Sequence, residues 1–182
     1  MIALLTNDDG IYAPGLAALE DAITDDCQTS VIAPSTEQSG VGHGITFLSP
    51  LTAKEVFRDE QRRGWAVDGS PADAVKLGVS EICQLRPELI LSGINAGLNA
   101  GINVLYSGTV AAAIEGAFFG ITSIAISLEW DDQMNFVRAA EIAHGLIRKI
   151  ISLHPPHGSL FNINIPTAAL FGKAEVRFVP MS

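Results

Sequence analysis

Two carboxylates stand side by side in Asn7-Asp8-Asp9-Gly10, directly behind the apolar run of residues 1–6. That run has the length of a buried parallel strand. In an open α/β sheet, ligands bind beyond the carboxyl ends of the strands, so side chains at this point face a crevice and not the core. Neighbours on a regular strand point to opposite faces. Asp8 and Asp9 can therefore converge on one ion only where the chain is already leaving the strand, and Gly10 with Pro14-Gly15 supplies the bend. A plainer role fits the same residues, with one aspartate capping the helix near Pro14 and the other solvated.

Two more oxygen-bearing residues follow strand-like runs. Ser39 lies in the glycine-rich loop of residues 34–44, and Asn95 lies in Ser92-Gly93-Ile94-Asn95. With Asp8 and Asp9 they make a donor set suited to a hard cation, Mg²⁺ or Mn²⁺. Four such oxygens leave about two of six octahedral positions for water and a substrate phosphate. Zinc is disfavoured, because no cysteine or histidine falls near these positions. Ser107-Gly108-Thr109 precedes a helical pattern. Free N–H groups, two hydroxyls and a glycine there suit an anion, although one hydroxyl acting as a simple cap would also explain the sequence.

The elements that must position these residues read as an alternation of strands and helices. Leu16, Leu19 and Ile23 recur at helical spacing behind Pro14, and residues 28–33 form a second strand. Residues 45–67 hold two β-rich pieces, 45–56 and 64–67, around a polar stretch at 58–63, and are read as a projecting hairpin or flap. Ser70-Pro71-Ala72-Asp73 is a helix start in which Asp73 reaches back to the cap, a structural role. Strands are expected at 89–91, 123–127 and 160–165, with an edge strand at 175–179 that stops at Pro-Met-Ser. Val110, Ala113, Ile114, Ala117 and Phe118 mark one helix, ending at Gly120. Phe136, Val137, Ala140, Ala143, Ile147 and Ile150 mark a longer one. The fold class is α/β, a Rossmann-like three-layer fold with a mostly parallel central sheet, in a single domain.

The chain has 182 residues, with 11 basic and 20 acidic side chains and a net charge of −9. Nucleic-acid polymers are excluded as partners, since they need a basic stripe. A small phosphorylated substrate is not excluded, because a bound divalent cation reverses the local field. Residues 89–114 carry no charge, but glycines at 93, 97, 101 and 108 and several asparagines and hydroxyls argue against a membrane span. Asp8 and Asp9 interrupt the place of a signal peptide's apolar region. Cys27 and Cys83 have no metal-binding spacing and read as reduced thiols of a cytosolic protein.

Five stretches in order, Asn7-Asp8-Asp9-Gly10, Glu37-Gln38-Ser39-Gly40-Val41-Gly42-His43, Val67-Asp68-Gly69-Ser70-Pro71-Ala72-Asp73, Ser92-Gly93-Ile94-Asn95 and Tyr106-Ser107-Gly108-Thr109-Val110, closely resemble the survival protein SurE family of nucleotide phosphatases. The resemblance implies one divalent metal per subunit, held by Asp8, Asp9, Ser39 and Asn95. It also implies hydrolysis of nucleoside monophosphates, extending to 3′-nucleotides and short polyphosphate, in a cytoplasmic homo-dimer or tetramer. Two departures stand out: Gly44 replaces the serine that usually follows the histidine, and the C-terminal end is shorter than the family's, where a tail joins subunits.

Within this reading Asp8 is a general base or a metal bridge. Asn7 and Ser107-Gly108-Thr109 donate hydrogen bonds to phosphate, and Gly40 and His43 lie at the substrate, His43 either protonating the leaving alcohol or ordering its loop. His144, His154 and His157 are structural or solvated. A dehalogenase-like phosphatase is disfavoured, since its two aspartates are separated by one residue and these are adjacent. A dinucleotide-binding domain is disfavoured by the absence of Gly-x-Gly-x-x-Gly after the first strand. A nucleotide-binding sensor with little turnover is the alternative from a different class.

Overall fold

The computed structural model describes residues 1–172 and 175–179. Its centre is strand β1 (Ile2–Thr6), whose alternating side chains feed two cores. Ala3 and Leu5 point to one face of the sheet and Leu4 to the other. On the first face lie helices α1 (Pro14–Ile23) and α4 (Phe136–Ser152), which bury Leu16, Leu19, Ile23, Ala140, Ala143 and Ile147 against the sheet. On the second lie α2 (Pro71–Leu77) and α3 (Gly108–Phe118), through Ala74, Val75 and Ala112.

The remaining strands are β2 (Gln28–Pro34), β3 (Ala53–Arg58), β4 (Gln61–Val67), β5 (Leu89–Ala96), β6 (Thr122–Leu128) and β7 (Leu160–Ile165). Their order is β3-β4-β2-β1-β5-β6-β7, and every neighbouring pair is parallel except β3 with β4. This is the Rossmann-like α/β arrangement expected. From β1 the chain moves outward through β2 to the hairpin, then returns to lay β5 on the other side of β1. The strand order therefore reverses between β1 and β5, which is where such sheets open a crevice at their carboxyl ends.

Three expectations change in detail. The hairpin occupies 53–67, and residues 45–52 are not strand. Only Asp59 and Glu60 form its turn, both at positive φ. Nor does it stand clear of the sheet, because β4 pairs along β2 from Val31↔Gly64 to Pro34↔Val67. A half-buried ion pair between Arg63 Nε and Glu20 Oε2 at 2.7 Å ties it to α1. The strand expected at 89–91 continues to Ala96, since β1 pairs with it as far as Ser92 and β6 as far as Ala96, and its pairing with β6 shifts register between Ser92 and Asn95. Residues 175–179 are not strand, because β7 remains the last strand of the sheet. The Pro-Met-Ser end lies outside the described residues.

The α2 start is built as read. Ser70 Oγ accepts from the Asp73 N–H and Asp73 Oδ2 accepts from the Ser70 N–H. Asp73 also takes the N–H and hydroxyl of Thr46, so one carboxylate caps the helix and anchors the 44–50 loop. Asp73→Ala is expected to lower the free energy of unfolding by about 2 kcal/mol in urea titrations. A change under about 0.5 kcal/mol would show that the anchor is dispensable.

Candidate active site

Asp8 and Asp9 emerge from β1 at the strand-order reversal. The chain turns at Gly10, whose φ of 96° favours glycine, and the turn is fastened to the segment after β2. Ile11 N–H donates to Pro34 O at 2.9 Å and Gln38 N–H to Asp8 O at 2.7 Å. Asn7 is fully buried and its Nδ2 donates to Gly10 O at 2.9 Å. In this arrangement Asn7 braces the turn.

Asp8 is 4% exposed. Its Oδ1 accepts the hydroxyl of Thr109, and the Thr109 backbone N–H also bonds to it. Gly108 makes this approach possible, since a Cβ there would lie 2.8 Å from Asp8 Cβ and 3.0 Å from Pro71 Cγ. Ser107 Oγ accepts from Val110 N–H at 3.1 Å, which is a helix cap. The structure thus brings Asp8 and Ser107-Gly108-Thr109 together, and the group at this helix start, where the sequence suggested a substrate phosphate, is the Asp8 carboxylate.

The second carboxylate turns towards the end of β5. Burial, then the charge of Asp8, then that of Glu37 push the Asp9 carboxyl up to about 6, with the Ala96 N–H opposing. Burial raises Asp8 as well, against the Thr109 hydrogen bonds, and Glu37 adds to the rise. Among the described residues, no Lys, Arg or His forms an ion pair with Asp8, Asp9 or Glu37.

Of the other two oxygen donors, Asn95 sits at the end of β5 and Ser39 on the loop after β2. Asn95 Nδ2 donates to Gly97 O at 2.6 Å, which commits the amide nitrogen and leaves Oδ1 as its acceptor. Asn99, next in this loop, is held by β7: its N–H meets Asn164 Oδ1 at 2.8 Å, and its carbonyl accepts from the Asn162 and Asn164 amides. Ser39 is exposed and donates its hydroxyl to Glu37 Oε1 at 2.7 Å. Gly40 has a φ of 76° with open space where a side chain would be. His43 is not directed at Asp8. Its Nε2 lies 2.8 Å from Glu115 Oε2 and its ring stacks on Phe118, well along α3 from Thr109.

A divalent cation fits this donor set. Two buried or half-buried carboxylates with a third nearby lack a cationic partner among the described residues, and the further donors are oxygens. Among those residues no three of His, Cys, Asp and Glu cluster as a metal site, so the fit depends on Ser39 and Asn95 joining the aspartates. Polar atoms without a hydrogen-bond partner also gather at this end of the sheet. They are Asn7 Oδ1, Thr6 Oγ1 and Ser92 Oγ, with Thr6 and Ser92 adjacent in the β1–β5 register.

Glu37 has no role in the sequence reading, although a carboxylate two residues before a loop serine is a familiar acceptor for its hydroxyl. Glu115 as the partner of His43 had no local signal. His144 pairs with Asp26 at 2.6 Å, while His154 and His157 are exposed. Cys27 and Cys83 are unpaired, and burial raises both thiols. Among the described residues no helix is long and apolar enough to cross a membrane.

The family model described as survival protein SurE matches residues 3–181. The chain belongs to the survival protein SurE family. A relative from Rhodopirellula baltica named 5′-nucleotidase SurE is 57% identical over 182 residues, covering 100% of this chain and 72% of that protein. One of the same name from Carboxydothermus hydrogenoformans is 48% identical over 177 residues, covering 93% of this chain and 66% of that protein. The crystal structure of the SurE protein from Aquifex aeolicus superposes with a TM-score of 0.84 at 39% identity, covering 91% of this chain and 66% of that one.

The Asp9 shift has a consequence for stability. Its carboxyl titrates near 6 in the fold against an ordinary 3.8, so the stabilising share is complete below about 3.8 and is lost as pH rises through 6. In EDTA-treated protein, Asp9→Asn is expected to raise stability by about 1 kcal/mol at pH 7.5, a figure that allows for solvent screening, and to leave it unchanged at pH 3.5. Melting curves at the two pH values check this, and an equal shift at both would contradict it.

Proposed function

We propose that this chain is a divalent-metal-dependent phosphomonoesterase that hydrolyses nucleoside monophosphates, 5′-nucleotides first, with 3′-nucleotides and short polyphosphate as further substrates. The observation that carries the reading is the carboxylate pair at the β1–β5 crevice, lacking a cationic partner among the described residues, with Asp8 held against the start of α3. The relatives named 5′-nucleotidase SurE support the substrate class.

Asp8, Asp9, Ser39 and Asn95 would hold the metal, Mg²⁺ or Mn²⁺. Bound there, it would supply Lewis-acid polarisation of the phosphate and offset the charge of the carboxylates. The Thr109 hydroxyl fixes Asp8 through Oδ1, which leaves Oδ2 to bridge to the metal or to take a proton from the attacking water. Burial raises the basicity of that carboxylate, which favours such a role. Asn7 keeps the turn in place from beneath, and Gly40 leaves open space at its backbone where a phosphate could approach.

Exposed Phe47, Leu48 and Phe118 support a homo-dimer or tetramer, and the unpaired cysteines a reducing, cytoplasmic setting. Light scattering of the purified chain reports the first.

Phosphate release from a panel of 5′- and 3′-nucleoside monophosphates, with Mg²⁺, Mn²⁺ or EDTA, tests the function. Release is expected only with metal, and Asp8→Asn is expected to lower it by about 100-fold or more. Tight nucleotide binding by folded, metal-loaded protein without release from any of them would instead identify a sensor.

A further inference from the structure

We infer that Glu37 is a positioning residue for the metal, which acts by holding the hydroxyl proton of Ser39 so that the Ser39 oxygen lone pairs face the aspartates. The inference rests on the metal reading above. Ser39 Oγ donates to Glu37 Oε1 at 2.7 Å. A serine hydroxyl has one proton and two lone pairs, so a proton committed to Glu37 leaves only acceptor capacity for a cation. Without that acceptor the hydroxyl would rotate freely in an exposed loop, and the neutral ligand would bind its metal in one of several orientations.

The placement is specific. The adjacent Gln38 N–H donates to Asp8 O at 2.7 Å, so the Glu37–Ser39 segment is fastened at its middle to the residue that carries the first carboxylate. Glu37 is also near enough to both aspartates for its charge to act on each. No Lys or Arg among the described residues forms an ion pair with it, so its one short partner is Ser39.

Mn²⁺ affinity, measured by calorimetry and by the spectrum of free Mn²⁺, tests this without recourse to turnover. Glu37→Ala is expected to weaken Mn²⁺ binding by about 10- to 100-fold, as loss of partners behind metal ligands commonly does. Glu37→Gln retains an acceptor oxygen for the serine and is expected to stay within a few-fold of the parent. Ser39→Ala removes the ligand itself and is expected to lose at least as much as Glu37→Ala, and the double variant to lose less than the sum of the two, because they share the Ser39–Glu37 interaction. Three results would each overturn the inference: Glu37→Ala binding Mn²⁺ like the parent, Glu37→Gln falling as far as Glu37→Ala, or additive losses in the double variant. If the parent itself binds no Mn²⁺, the metal reading fails and the inference with it, which separates that outcome from the other three.

Discussion

The arrangement at the carboxyl edge depends on burying one carboxylate. Asp8 sits almost out of solvent at the end of β1, and removing a charge from water is costly unless hydrogen bonds or an opposite charge replace the lost hydration. The start of α3 supplies part of this through the Thr109 hydroxyl and N–H, aided by the helix's partial positive charge. Only a residue without a Cβ permits the approach, which accounts for glycine at 108. One contact between residues 101 positions apart thereby registers α3 against β1.

Two further carboxylates make the balance unfavourable without a cation. Burial first, and then the neighbouring charges, raise both aspartates, with Glu37 adding to the rise at each. A core of apolar strands on both sides of the sheet provides the stability against which this local cost is set. Rigid strand ends hold charges that would otherwise move apart, and the divalent cation we propose here would turn the repulsion into attraction. Function here is a matter of electrostatic incompleteness placed on a well-packed frame.

The loops around the pair are themselves braced. Asn7 ties the first turn, Gln38 joins the second segment to the first, and the amides of Asn162 and Asn164 on β7 grip the carbonyl of Asn99. These bonds let short, glycine-rich segments keep one conformation without a hydrophobic core of their own. His43 belongs to this bracing, since its ring bridges the loop after β2 to Glu115 and Phe118 on α3.

Much of this was legible in the linear chain. Strand and helix faces follow from apolar periodicity, the α2 start from Ser70-Pro71 with Asp73, and the crevice from acids placed where β1 stops. The order of the motifs marked the family before any contact was known. What the chain could not disclose alone was the choice of partner among polar groups far apart in sequence. Thr109 turning to Asp8, His43 turning to Glu115, and the hairpin joining β2 depend on which strands become neighbours. Periodicity records which face of an element is buried, whereas a hydrogen bond depends on separations of a few tenths of an ångström that only the assembled sheet sets.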